Sequence, residues 1–173
     1  MPSHHLDLVV DAGADFCNKL EEISCGDKST GFGSQLSDAA VSRLAAACPN
    51  LRKVYLTSAV QLTDWALGSL LWYCPNIHTL SITGNDKVKG KIEGICLLNL
   101  KKSKEQAQHL RKLELVDQQR LDKRVLKCVS TARKQLIISE GDTSDRWYDL
   151  GCIDTWTGGK LQLGESAVKT WFD

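Results

Sequence analysis

Aliphatic residues recur along the chain at a spacing that neither one long helix nor one long strand would produce. CNKLEEISC at 17–25, CPNLRKVYL at 48–56, CPNIHTLSI at 74–82 and AQHLRKLEL at 107–115 fit one template. It runs small residue, two variable positions, aliphatic, two variable positions, aliphatic, one variable position, apolar. The last three positions alternate with the period of two that a half-buried strand requires. A fifth copy, ARKQLIIS at 132–139, keeps only the strand part through Leu136 and Ile138. Cysteine opens three of the copies, at Cys17, Cys48 and Cys74.

The segments between the copies also repeat. LSDAAVSRLAAAC at 36–48 and LTDWALGSLLWYC at 62–74 each begin with leucine, a hydroxyl residue and aspartate, and continue with apolar residues at helical spacing. The hydroxyl-Asp pair predicts a helix start, because its oxygens accept from first-turn N–H groups that have no helical partner. Val41, Leu44, Ala45 and Cys48 form the predicted inner stripe of one helix, and Trp65 or Ala66, Leu70 and Tyr73 that of the next. Pro49 and Pro75 end them, since proline has no N–H to donate. A fainter version, RLDKRVLKCVST at 120–131, follows the fourth copy.

Each unit is therefore a strand, a loop, a helix and a turn, and a lone unit would leave a helix face and a strand face wet. Stacking the units in parallel buries both. The copies at Cys48 and Cys74 lie 26 residues apart, within the leucine-rich-repeat range of roughly 20–29. The longer first and third intervals place insertions at GDKSTGFG (26–33) and KKSKEQAQ (101–108), where they should bulge outward. The expected fold is α/β: a right-handed leucine-rich-repeat solenoid of about five repeats, with a curved parallel sheet and helices on the convex side. Residues 1–16 read as an N-terminal helix or half-repeat cap, 17–139 as the repeats, and 140–173 as an aromatic and acidic tail expected to cap the far end.

C-x-x-L-x-x-L-x-L, with L-(T/S)-D opening a helix that ends in C-P-N, resembles the cysteine-containing leucine-rich repeats of ribonuclease-inhibitor-like F-box proteins, many of them fungal. The resemblance covers roughly residues 6–139. It implies a horseshoe whose concave strands hold a substrate for ubiquitin transfer by an SCF-type ligase. No stretch reads as an F-box, and residues 1–16 are too few for one. A cullin-type ligase would thus be reached through an F-box missing from this stretch.

The strand phase nominates a binding surface. With Leu51, Val54 and Leu56 inward, Lys53, Tyr55 and Thr57 face the concave side, and the same phase adds Glu22, Ser24, Thr79, Ser81, Thr83, Lys112 and Glu114. Tyr55 brings a flat ring and a hydroxyl, the combination that anchors interfaces. Five strands about 4.8 Å apart, each exposing about 10 Å, give roughly 200 Å², against about 800 Å² per partner in a stable interface. Loops, the tail or further repeats are expected to contribute.

Composition narrows the remaining classes. Lys and Arg number 22 against 21 Asp and Glu, a balance that speaks against nucleic acid as the partner. The short basic cluster of Lys101, Lys102 and Lys104 reads as a solvated loop. No run nears the roughly 18 apolar residues of a membrane span, and the opening residues do not read as a secretory signal. Seven cysteines without such a signal suit free thiols in the cytoplasm or nucleus. There is no CxxC pair, and His4, His5, His78 and His109 lack zinc-ligand spacing with cysteine, so no metal or other cofactor is expected. Cys48 and Cys74 fall at equivalent positions of the repeat and read as buried small hydrophobes, with Cys96 on one side of a third helix. GFG (31–33) and TGG (157–159) lack the lysine-serine or the strand-to-helix setting of a phosphate cradle, and read as flexible loops.

The tail carries Trp147, Tyr148, Trp156, Trp171 and Phe172, more aromatics than a disordered segment holds. Trp147 or Trp156 is expected to pack over the last repeat, with a linear motif bearing Asp142, Asp145, Asp149 and Asp154 as the alternative. At the other end Leu6, Val9 or Val10, and Phe16 are expected to face inward. The function that follows is protein binding without catalysis, in the context of ligase substrate recognition. Alternatives are a leucine-rich regulator of a small GTPase or of cell-cycle signalling and, from a different class, an enzyme using Cys152 or the tail carboxylates.

Overall fold

The alternation of inward aliphatic and outward polar residues becomes a series of short parallel strands joined by helical segments. The computed structural model describes residues 3–85, 87–143 and 152–164, with the side chains of Ser3 and His4 excepted. Helices α1 (Ser3–Asp11) and α2 (Ala14–Cys17) lead into β1 (Glu22–Cys25). Then come α3 (Asp38–Ala47), β2 (Lys53–Leu56), α4 (Asp64–Tyr73) and β3 (Thr79–Ile82). A 3-10 turn at Ile95–Leu97 precedes α5 (Leu98–Lys102), followed by β4 (Lys112–Val116), α6 (Lys123–Ala132) and β5 (Ile137–Gly141). The described part closes with β6 (Ile153–Thr157) and β7 (Lys160–Gln162).

All seven strands form one sheet in sequence order. Strands β1 to β5 are parallel and in register, so Ile23, Val54, Leu80, Leu113 and Ile138 stand side by side. These residues share one buried cluster with Val41, Leu44, Leu67, Leu70, Leu126 and Val129 of the helices. Burying each such side chain contributes roughly 1.5–3 kcal/mol. Repetition of one template thus builds one continuous core between sheet and helices.

The expected all-parallel sheet requires correction. Strand β6 pairs antiparallel with β5, and β7 antiparallel with β6. The cause is local: Gly158 and Gly159 both have positive φ, the geometry of a two-residue hairpin turn. A hairpin needs no crossover helix, so the chain can reverse at once. TGG is therefore a hairpin turn. Trp156 of β6 is buried in the core cluster, and Trp147 lies outside the described residues.

GFG is not a loose loop. A 3-10 turn spans Phe32–Gln35, and Gly33 is buried against the end of β2, where an added Cβ would stand 1.7 Å from the Thr57 carbonyl oxygen. At the N-terminus Leu6 is buried and Val9 and Val10 are partly buried, but Phe16 is 49% exposed. The inward position belongs instead to its neighbour Cys17. In α4 the inner stripe is Ala66, Leu67, Leu70 and Leu71, while Trp65, Trp72 and Tyr73 face outward. The heavily apolar composition of α4 obscured which side was inner.

Candidate functional site

The outward residues of the parallel strands fall into two rows across the sheet. One runs Glu22, Lys53, Thr79, Lys112, Ile137, and the other Ser24, Tyr55, Ser81, Glu114, Ser139. Lys53 meets Glu22 at 3.2 Å across the strand pair, and Lys112 meets Glu114 at 2.7 Å along its own strand. Hydrogen bonding to the Glu22 carboxylate raises the pKa of Lys53. Both lysines are about half exposed, so water and salt screen each pair. The rows therefore owe little to stability.

Tyr55 is half-buried between two serines of its row, Ser24 and Ser81. Short neighbours leave its ring as the tallest feature there. Ser81, expected on the open face, is instead buried at 7% exposure. Its short side chain sits between Tyr55 and Glu114, which overshadow it. Thr57 and Thr83 lie just past the strand ends and are half-buried; their N–H groups still donate to the neighbouring strands, Thr57 to Cys25 O and Thr83 to Leu56 O. The Thr83 hydroxyl is buried and has no partner among the described residues. The candidate face thus keeps Glu22, Ser24, Lys53, Tyr55, Thr57, Thr79, Lys112 and Glu114. Ile137, 43% exposed, and Ser139 extend it. The template phase already pointed Ile137 outward, between inward Leu136 and Ile138.

The L-(S/T)-D positions perform a division of labour that spacing alone did not reveal. The hydroxyls are the caps: Ser37 Oγ accepts from Ala40 N–H and Thr63 Oγ1 from Trp65 N–H. The aspartates reach the next unit. Asp38 accepts from the Thr63 N–H at 2.9 Å and the Thr63 hydroxyl at 2.6 Å. Asp64 accepts from Glu93 and Gly94 N–H through Oδ1 and from Cys96 N–H through Oδ2. Fully buried Asp117 accepts from Lys89 Nζ at 2.9 Å and from both N–H and hydroxyl of Thr143. Both oxygens of each of these carboxylates are engaged by structural donors. A hollow of about 550 Å³ beside Asp64, bordered by Lys91, Glu93 and Arg120, therefore presents no free carboxylate from Asp64 for acid–base work.

The repeat cysteines are buried, as a small apolar position requires. The Cys74 thiol points at the carbonyls of Ala45 and Cys48, both 3.7 Å away, at the open end of α3, and Cys17 donates to Val9 O of α1. A weak donor there offsets carbonyls that the helix end leaves unpaired. Burial pushes the Cys74 and Cys48 thiols up to about 12, helped at Cys48 by the neighbouring Cys17. Cys152 donates to Asp154 at 3.4 Å and to Gly164 O at 3.2 Å, and the Asp154 carboxylate raises its pKa. Nucleophilic thiols need the opposite environment. Among the described residues no group of three or more His, Cys, Asp or Glu is placed to hold a metal, and no helix is long and apolar enough to cross a membrane.

No protein-family model matches the sequence, and no curated protein matches it either. A solved structure does resemble it: the tropomodulin C-terminal domain from Caenorhabditis elegans, with a TM-score of 0.54 over 82% of this chain and 84% of that domain. The fold is leucine-rich-repeat-like. Identity over the match is 16%, so the likeness describes backbone architecture and carries no binding residue across.

Proposed function

We propose that this chain is a protein-binding leucine-rich-repeat solenoid, right-handed and curved, whose concave sheet face holds the partner. The observation that carries the reading is the position of Tyr55. It stands between two serines on the second strand of a face whose charged groups, Lys53 with Glu22 and Lys112 with Glu114, pair only weakly. An aromatic anchor in a ring of adaptable polar groups is the arrangement on which binding energy concentrates. Five parallel strands give a small footprint, and β6 and β7 enlarge the sheet beyond the repeats. The cysteine-containing repeats supply the cellular context through their resemblance to F-box proteins: recognition of a substrate for an SCF-type ubiquitin ligase. Carboxylates engaged by structural donors and a protonated Cys152 favour binding over catalysis.

The test is affinity capture from source-cell extract with the parent chain and a Tyr55→Ala/Lys53→Glu/Lys112→Glu variant, read by quantitative mass spectrometry. A partner recovered at least tenfold less by the variant, at an unchanged circular dichroism spectrum, is expected. Equal recovery by both would sink the reading. The partner's identity separates a ubiquitinated substrate from a small GTPase.

A further inference from the structure

Near-neutrality of the whole chain conceals a segregation of charge. Residues 87–134 hold 14 of the 22 Lys and Arg but only 5 of the 21 Asp and Glu, an excess of nine positive charges, and both flanking parts are net acidic. Several of these cations are already occupied. Lys89 pairs with Asp117 and Asp142, Lys112 with Glu114, and Lys123 with Glu140. The Arg133 guanidinium donates to the carbonyls of Leu100, Ser103 and Gln106 and so pins the 101–108 loop. The exposed side chains of Lys101, Arg124 and Lys127 have no ion-pair partner among the described residues.

Those three meet at one place. A hollow of about 490 Å³ on the helix side is lined by Lys101, Arg124, Lys127, Cys128, Thr131 and Ala132. Helix lengths explain why it opens here. Helices α3 and α4 are ten residues each and lie side by side, joined by a 2.8 Å Ser42–Ser69 hydroxyl bond. Helix α6 is also ten residues, but its neighbour α5 has only five, so part of the α6 flank is left uncovered. Positions 124, 127, 128 and 131 fall along one stripe of α6. Cys128, Ala132 and the Thr131 methyl supply apolar surface, and the lysine stems add more while their charged heads stay in water.

We propose that this hollow is a second docking site, taking an acidic peptide segment of a partner protein that seats one apolar side chain while flanking carboxylates meet Lys101, Arg124 and Lys127. The chemistry selects that occupant. A nucleic-acid backbone satisfies the cations but brings no apolar knob for the floor. A membrane surface needs large apolar groups that protrude, whereas the apolar part of this hollow consists of half-buried Cys128, exposed Ala132 and the Thr131 methyl, all small. The hollow is shallow and open, which suits one side chain of an extended segment lying across it rather than an enclosed small ligand. The site lies on the helix side, away from the open sheet face, and stands independently of the function assigned to that face.

Selection of a random 16-residue peptide display library on the full chain tests it, with parallel selection on an Arg124→Glu/Lys127→Glu variant and an Arg124→Lys/Lys127→Arg control. The expected winners carry two or more Asp or Glu within four positions of a Leu, Ile, Val or Phe. Their synthetic versions should bind at least tenfold more weakly to the charge-reversed variant, bind the control within threefold of the parent, and shift the amide resonances of Cys128 and Ala132. Circular dichroism melting within two degrees across the three proteins excludes a folding effect. Any of the following overturns the proposal: no enriched peptides, winners without acidic residues, or winners bound equally by the reversed variant. So does an oligonucleotide or a phosphatidylserine vesicle that binds in an Arg124- and Lys127-dependent manner more tightly than any winner, or a cross-link showing the chain's own residues 165–173 already seated in the hollow.

Discussion

Asp64 illustrates how one side chain binds two repeats together. Three main-chain N–H groups of the following unit converge on its carboxylate, and charge-assisted bonds of this kind contribute about 1.5–3 kcal/mol each in favourable settings. They are not additive here, because water reaches the rim. Asp64→Ala should destabilise the protein by about 2–3 kcal/mol in urea unfolding, and Asp64→Asn by less, since its one remaining oxygen can keep the Glu93 and Gly94 bonds. Equal stability of Asp64→Ala and the parent would refute the stitching role. The sequence made the helix start legible at Ser37–Asp38 and Thr63–Asp64. It did not show that the hydroxyl caps while the carboxylate bridges, because that depends on a neighbour 25 or more residues away. The buried thiols carry a second prediction. Folded Cys48 and Cys74 titrate near 12, above the ordinary thiol value of 9.0. Between those values the unfolded chain loses thiol protons that the folded chain keeps, so stability present below pH 9 falls as pH rises toward 12. Urea midpoints measured from pH 8 to 11 should drop, and Cys74→Ala should flatten the drop. An unchanged slope in that variant would contradict the assignment.

Among the elements, strands were the most legible and connections the least. The alternation in KVYL and TLSI gave both location and facing, because a sheet buried on one side writes its period of two directly into the residues. Helix α4 was legible in extent but not in orientation: apolar side chains lie on every side, and Trp65 and Trp72 stay 69% and 70% exposed. Cys96 was expected on one side of a third helix, yet it lies in the 3-10 turn that precedes the short α5, and Arg133 gathers carbonyls from α5 (Leu100) and from the segment after it (Ser103 and Gln106). The 26–33 segment was expected to bulge outward, whereas Gly33 presses on the end of β2. That contact gives the element-scale prediction. Gly33→Ala places a methyl group on the Thr57 carbonyl, where main chain rather than a flexible side chain must move, and should cost about 1–3 kcal/mol as overpacking does. Differential scanning calorimetry would show it as a lowered Tm, and an unshifted Tm would mean that the loop adapts freely.

For the whole molecule, the repeat template captured the parallel half of the sheet and missed its ending. β6 and β7 belong to no repeat, and their antiparallel pairing follows from a Gly158–Gly159 turn whose partners are set by three-dimensional proximity to β5. Trp156 is buried there with its indole N–H 3.5 Å from Glu140, which Lys123 of α6 also contacts. The candidate face was legible as a phase, and the structure removed from it Ser81 and the Thr83 hydroxyl, which are buried. Total charge averages a basic stretch at 87–134 against acidic flanks. The central claim is that the open sheet face, and Tyr55 above all, receives a protein partner. Hydroxyl-radical footprinting of the chain alone and bound to its captured partner tests this most directly, because Trp65 and Trp72 on the helix side serve as internal references. A severalfold loss of reactivity at Tyr55 with both tryptophans unchanged is expected. Protection of the tryptophans with Tyr55 still reactive would place the partner on the helices and contradict it.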